Sequence, residues 1–248
     1  MPIKRKTPEE KEKLRELRAC AALGKPRVWF FDMDDTLYNA SEGMFEQIHL
    51  RMEDFIARAL NLPLAQAAKV QEDYWAQYGA TFLGLAKHHA IDPHEFFAAT
   101  HTFDLPRFLH SDMTPSQLRH LLIKLPGRKA VITNGPREYA ETIVRTLRVE
   151  DRFERLFTAS DMNALGRWRC KPDTSLLAMA VAQMRVLPQH CVLVEDSLAN
   201  LKSAKKLGMK TVWCVGYRRR LTERWKKTAY VDVVIENIAE LIRLATRG

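Results

Sequence analysis

Apolar residues fall along this chain in two rhythms, and the change between them divides it. Val28 to Phe31 reads VWFF, an unbroken apolar run that ends in Asp32. Continuous rather than alternating apolar residues indicate a strand covered on both faces. Four later runs have the same look: KAVIT at 129–133, CVLVE at 191–195, TVWCV at 211–215 and VDVVI at 231–235. Helical spacing separates most of them. Tyr139, Ile143 and Leu147 share one helix face, as do Leu176, Leu177, Ala180 and Met184. Leu198, Leu201, Ala204 and Leu207 form a third, closed by Gly208 as a C-cap. Strands alternating with helices predict a doubly wound α/β fold with a parallel sheet and helices on both faces.

Residues 39–125 break that alternation. They hold no run that reads as a buried strand. Phe45, Ile48, Met52, Phe55, Ile56 and Ala59 recur at helical spacing, and so do Ala67, Val70, Tyr74 and Trp75. The pattern predicts a small all-helical cap inserted after the first strand, with the α/β core built from 25–38 and 126–248. Asn39–Gly43 and Leu125–Gly127 flank the insert. Residues 1–24 form a basic helical extension over 8–22. Thr7 is its N-cap, Pro8 its first residue and Glu10 the partner of a capping box, with Gly24-Lys25-Pro26 as the break.

The 248 residues carry a net charge of +9, with the excess collected at Lys4–Lys6 and at Arg218, Arg219, Arg220, Arg224, Lys226 and Lys227. Such charge suits a solvated surface or the attraction of an anionic substrate. It also suits nucleic-acid binding, since Tyr217 and Trp225 interleave with the arginines. The four cysteines, Cys20, Cys170, Cys191 and Cys214, show neither C-x-x-C pairing nor zinc-finger spacing with histidine. Free thiols fit a reducing, cytoplasmic compartment, and no secretory signal or run of about 18 apolar residues is expected to target a membrane.

The candidate chemistry sits at strand ends. Asp32-Met33-Asp34-Asp35-Thr36 follows the first strand directly, where ligands of open α/β sheets bind. Alone this spacing also reads as an Asp-rich turn. Three other strand ends carry matching pieces. Thr133, Asn134 and Gly135 offer a hydroxyl and backbone N–H groups as an anion pocket, or a plain helix cap. Lys171, followed by Pro172, places a cation at a helix start, against the helix dipole. Glu195 and Asp196 are adjacent acids at the end of a buried strand, costly unless a cation such as Mg²⁺ binds them. Together the set reads as a phosphoryl-transfer device. Asp32 is the nucleophile that forms an aspartyl phosphate, and Asp34 protonates the leaving oxygen and then activates water. Thr133 holds a phosphoryl oxygen, Thr36, Asn134 and Gly135 complete the phosphate-binding side, and Lys171 with Mg²⁺ neutralises charge.

These four elements, in this order, resemble the haloacid dehalogenase superfamily. The resemblance implies an α/β core with a helical cap, and the second acid, Asp34, implies a phosphatase or phosphomutase rather than a dehalogenase. It also implies metal ligands: the Asp32 side chain, the Asp34 carbonyl and Asp196, with Glu195 as a further one. YGATFLGLAKHHAIDPHEF (78–96), LPGRKAVITNGPREYA (125–140) and VLVEDSLANLKSAKKLGMKTVW (192–213) are similar to the pyrimidine 5′-nucleotidase branch. That likeness implies a small phosphorylated substrate, a nucleoside monophosphate first, with Tyr78, Gly79, Thr81 and Gly84 as the specificity segment. Tyr78 then stacks on a base, or else is a core residue of the cap. His88 and His89 are read as surface or cap-core residues. The loop from Asp161 to Cys170, with Trp168 and Arg169, departs from the branch. Rival readings are a sugar-phosphate mutase, a phosphoglycolate-type phosphatase, or a non-enzymatic basic adaptor for nucleic acid.

Overall fold

A computed structural model of the chain describes residues 7–162, 168–218 and 228–246. The basic clusters at 4–6 and 219–227, Trp225 among them, and the middle of the 161–170 loop lie outside the described residues. Helix α1 (Pro8–Leu23) begins with the expected capping box, Thr7 and Glu10 each bonding the other's backbone, and leads into β1 (Val28–Phe31). Helices α2 (Met44–Leu60), α3 (Leu64–Tyr78), α4 (Thr81–His89) and α5 (Pro93–His101) follow, then α6 (Pro115–Lys124). The chain then runs through β2 (Arg128–Ile132), α7 (Arg137–Thr146), β3 (Arg155–Phe157), α8 (Ala159–Met162) and α9 (Thr174–Gln183). It ends with β4 (Cys191–Glu195), α10 (Leu198–Lys206), β5 (Lys210–Cys214), β6 (Val233–Ile235) and α11 (Ile238–Thr246).

The six strands form one parallel sheet in the order β3-β2-β1-β4-β5-β6, so the fold is the doubly wound α/β arrangement that the apolar runs predict. Strand β3 is additional to that reading. It has three residues, lies at a sheet edge and buries only Phe157 fully, so it leaves no periodic trace in the sequence.

The continuous apolar runs are explained by the two faces of the sheet. Trp29 and Phe31 join Val131, Val192 and Val194 in a cluster with α1, α6, α7 and α11. Val28 and Phe30 join Ala130, Ile132 and Leu193 in a second cluster with α9 and α10. Successive residues point to opposite faces and both faces are covered. Each fully buried side chain of this size contributes roughly 1.5–3 kcal/mol.

A third cluster lies under the insert. Phe55, Ile56, Ala67, Phe82, Leu85, Phe96 and Phe97 from α2–α5 pack together, and Ala159 and Cys170 from the α/β part join them. Helix α6 packs instead against α11, with Leu118 and Leu122 in the first sheet cluster. The passages into and out of α2–α5 run side by side, the Asn39 N–H donating to the His110 carbonyl at 2.8 Å.

Candidate active site

Strand order reverses direction at β1, with β2 on one side and β4 on the other. That switch point opens a crevice beyond the strand ends. Asp32 follows β1 there and Glu195 closes β4, the Asp32 N–H donating to the Val194 carbonyl at 2.9 Å. Asp32, Thr36, Thr133, Lys171, Glu195 and Asp196 are all buried at this end.

Lys171 arrives from a loop three residues before α9, not from the helix itself. Its backbone is clamped by Asn134: the Asn134 Nδ2 donates to the Lys171 carbonyl and the Lys171 N–H donates to Asn134 Oδ1, each at 2.8 Å. The ammonium is thereby aimed at two carboxylates. It donates to Asp32 Oδ1 and, at 2.8 Å, to Glu195 Oε2. Burial disfavours its charge, but Asp32 and Glu195 outweigh that and raise its pKa. Glu195 is lowered in turn, because Lys171 and its own hydrogen bonds outweigh burial. Asp32 is pushed up, by burial and then by the charge of Glu195, against the pull of Lys171.

Two carboxylates thus share one ammonium. Oxygens of Asp32, Glu195 and Asp196 lie within 4.8 Å of one another, and all three residues are buried. Asp196 is held from behind by Trp213, whose indole N–H donates to its carbonyl at 2.8 Å. Buried acids in excess of their cations call for a further positive charge. A hard dication bound by carboxylate oxygens fits this donor set.

Asp34 stands beside the cluster in a different setting. Its Oδ1 accepts hydrogen bonds from the hydroxyls of Tyr38 and Tyr139, each at 2.6 Å, and the two hydroxyl oxygens lie 2.5 Å apart. Burial raises the Asp34 pKa, with the two tyrosines pulling the other way. The phenols are raised well above their usual range, foremost by burial, so they stay protonated as donors. Gly135 makes room for this arrangement. A Cβ there would come within 2.8 Å of the Tyr139 ring. Sequence reasoning placed Tyr139 on an apolar helix face and passed over Tyr38. The signal available was chemical: a phenol in an otherwise apolar stripe must find a partner for its hydroxyl.

Thr133 accepts the Gly135 N–H at 3.0 Å, which leaves its own proton available to a ligand. Among the described residues the buried Thr36 hydroxyl finds no hydrogen-bond partner. Asp34, Asn134, Gly135 and Tyr139 also line a cavity of about 460 Å³ that runs under the cap helices. Thr81 lines it too, its hydroxyl donating to the Gln71 carbonyl at 3.2 Å. Tyr78 does not. Its hydroxyl lies 2.6 Å from His88 Nε2 and its ring packs against Tyr74, while the aromatic side chains that line the cavity include Phe45, Trp75, Phe82, Phe96, Phe97 and Tyr139. Gly79, with φ of +79°, ends α3 and lies against Pro172, 3.0 Å from where its Cβ would be. His88 and His89 are exposed and bonded to Tyr78 and Tyr74. Trp168 packs on Phe82 and Phe97, and Arg169 pairs with Asp173 at 2.7 Å.

Comparison with known proteins agrees with this fold. Residues 26–208 match the family of haloacid dehalogenase-like hydrolases, and the chain belongs to that family. It is 26% identical over 224 residues to the validoxylamine A 7′-phosphate phosphatase of Streptomyces hygroscopicus subsp. limoneus, covering 87% of this chain and 95% of that one. It is 27% identical over 232 residues to the glyceraldehyde 3-phosphate phosphatase of Pyrococcus furiosus, covering 89% and 93%. Among solved structures, a haloacid dehalogenase-type phosphatase from Thermococcus onnurineus shares the fold with a TM-score of 0.62 at 18% identity, over 88% of this chain and 97% of that one. All four cysteines are free, and no helix among the described residues is long and apolar enough to cross a membrane.

Proposed function

We propose that this protein is a Mg²⁺-dependent phosphatase of small phosphate monoesters that works through a phosphorylated Asp32. The observation that carries the reading is the convergence of Asp32, Lys171, Glu195 and Asp196 at the sheet's switch point, with the tyrosine-held Asp34 alongside. The Asp32 carboxylate attacks phosphorus while Asp34, whose pKa burial raises, gives its proton to the departing oxygen. Tyr38 and Tyr139 occupy Oδ1 of Asp34 and leave Oδ2 for that transfer. The same carboxylate then takes a proton from water, which attacks the aspartyl phosphate and frees Asp32. Lys171 offsets charge on Asp32, and the Thr133 hydroxyl donates to a phosphoryl oxygen. Mg²⁺, held by Asp32, the Asp34 carbonyl, Asp196 and Glu195, would supply the remaining positive charge. Charge stabilisation of this kind dominates phosphoryl transfer.

The substrate class implied by the resemblance to the nucleotidase branch is a pyrimidine nucleoside 5′-monophosphate. A sugar phosphate is the second reading, favoured by the names of relatives that include glyceraldehyde 3-phosphate and 6-phosphogluconate phosphatases. The purified protein is expected to release phosphate from 4-nitrophenyl phosphate with Mg²⁺ and to stop on chelation. Turnover that survives chelation excludes the metal role. UMP and CMP set against sugar phosphates decide the class: fast sugar phosphates with slow nucleotides end the nucleotidase reading.

A further inference from the structure

The cavity beside Asp34 has a chemical signature of its own. Phe45, Met52, Phe82, Phe96 and Phe97 are among the apolar side chains of its wall. Its acidic side chains are Asp34, Glu53 and Glu72, and among the described residues no lysine or arginine lines it. A volume of about 460 Å³ is far more than a two-carbon acid needs, and it suits a substituted ring.

His101, the last residue of α5, lines the same cavity. Its tautomer follows from Thr100. The Thr100 hydroxyl donates to the Phe96 carbonyl at 2.8 Å, so its oxygen accepts from His101 Nδ1 at 2.7 Å. Nδ1 therefore carries the proton and Nε2 presents a lone pair. Among the described residues no hydrogen bond reaches Nε2. The imidazole stands edge to face against Tyr139, the ring centroids 5.3 Å apart at 85°. Tyr139 in turn holds Asp34, so the lone pair lies one ring away from the acid. Burial lowers the imidazole to about 3, and it stays neutral.

We infer that the substrate's leaving group is a ring, uncharged or cationic, with a hydroxyl or amino group that donates to His101 Nε2, while Glu53 and Glu72 disfavour leaving groups that carry a carboxylate. The inference rests on the phosphatase reading and names its substrate class. An apolar wall takes the ring, and unpaired acceptors require donors from the ligand. Like charges facing each other across a cavity weaken binding of an acid. The nucleosides of UMP and CMP fall on the favoured side.

Two matched pairs test it in the wild-type protein with Mg²⁺. Glucosamine 6-phosphate replaces a hydroxyl of glucose 6-phosphate with an ammonium on one ring. 6-Phosphogluconate replaces a hydroxymethyl of sorbitol 6-phosphate with a carboxylate on one chain. Expected kcat/KM is higher for the amine in the first pair and at least about fivefold lower for the acid in the second. His101→Phe keeps a ring against Tyr139 and removes the acceptor. It is expected to lower the ratio of kcat/KM for glucosamine 6-phosphate to that for 4-nitrophenyl phosphate about tenfold, mainly through KM. Glu53→Gln combined with Glu72→Gln should narrow the gap in the acid pair. An acid faster than its matched alcohol, or a ratio unmoved by His101→Phe, overturns the inference. The wild-type pairs decide it even if a variant does not fold. Release of phosphate from no ester at all, 4-nitrophenyl phosphate included, overturns the phosphatase reading and the inference with it.

Discussion

The carboxylate end of the sheet and the cavity under the cap lie side by side and are built differently. At the sheet end the polar groups are buried, and each is pinned by a strand or a clamp: Asp32 by Val194, Lys171 by Asn134, Asp196 by Trp213. Beside the cavity, apolar side chains from four helices pack together, and the rings meet at centroid distances such as 4.9 Å for Phe82 and Phe97. One region holds charges whose positions are set by backbone topology. The other holds contacts that a change of side chain can remodel. Reaction chemistry suits the first, since it depends on sub-ångström placement, and substrate choice suits the second.

The sharpest test of that contrast is Asp32→Asn, expected to lower phosphate release from every ester by at least about a thousandfold. Near-normal turnover of any ester by this variant would break the assignment of chemistry to the sheet end. Next in size is metal linkage. Asp32 and Glu195 share one ammonium and cluster with Asp196, so Mg²⁺ should stabilise the fold. At about a hundred times its Kd a ligand adds about 2.7 kcal/mol. The expected result is a rise in Tm of several degrees with Mg²⁺, reversed by a chelator; an unchanged melting curve would count against the site.

Tyr139→Phe touches the seam between the regions. Without that hydroxyl Asp34 loses one of two hydrogen bonds, and kcat at neutral pH should fall about tenfold through lost orientation. The Tyr139 hydroxyl pulls the Asp34 pKa down against burial, so its loss lets the pKa rise further. The proton is then retained to higher pH, and the alkaline limb of the pH–rate profile should move up. A downward shift would show that the hydroxyl acts otherwise. The smallest effect concerns thiols. Burial pushes Cys170, Cys191 and Cys214 up to about 12, so alkylation of the folded protein at pH 8 should be slow at all three. Cys170, in the cluster under the cap, is expected to react before Cys191 and Cys214 in the sheet. Equal rates would mean that the two regions open together.

Much of the sheet was readable in advance because burial on two faces leaves a local mark. VWFF and CVLVE are continuous apolar runs, and β1 and β4 coincide with them. The Thr7 capping box and the helix faces of α7, α9 and α10 were readable because each is written in residues only a few positions apart. Strand β3 was not, because three edge residues carry no period. The cluster of Asp32, Lys171, Glu195 and Asp196 could be nominated because the three acids end or follow a buried strand and Lys171 precedes a recognisable helix. Of the partners of Asp34, Tyr139 could not, because it lies 105 residues away, whereas Tyr38 is four residues on and was passed over.

What the sequence determined alone is therefore the alternation of buried strands and helices and the acids at the strand ends. Both follow from short-range periodicity and from the cost of burying charge. The tertiary structure decided the rest: which hydroxyls reach Asp34, that Asn134 clamps Lys171, that Tyr78 does not line the cavity, and that His101 does. Those outcomes depend on how distant segments pack, and packing is a property of the whole assembled core that no local spacing records.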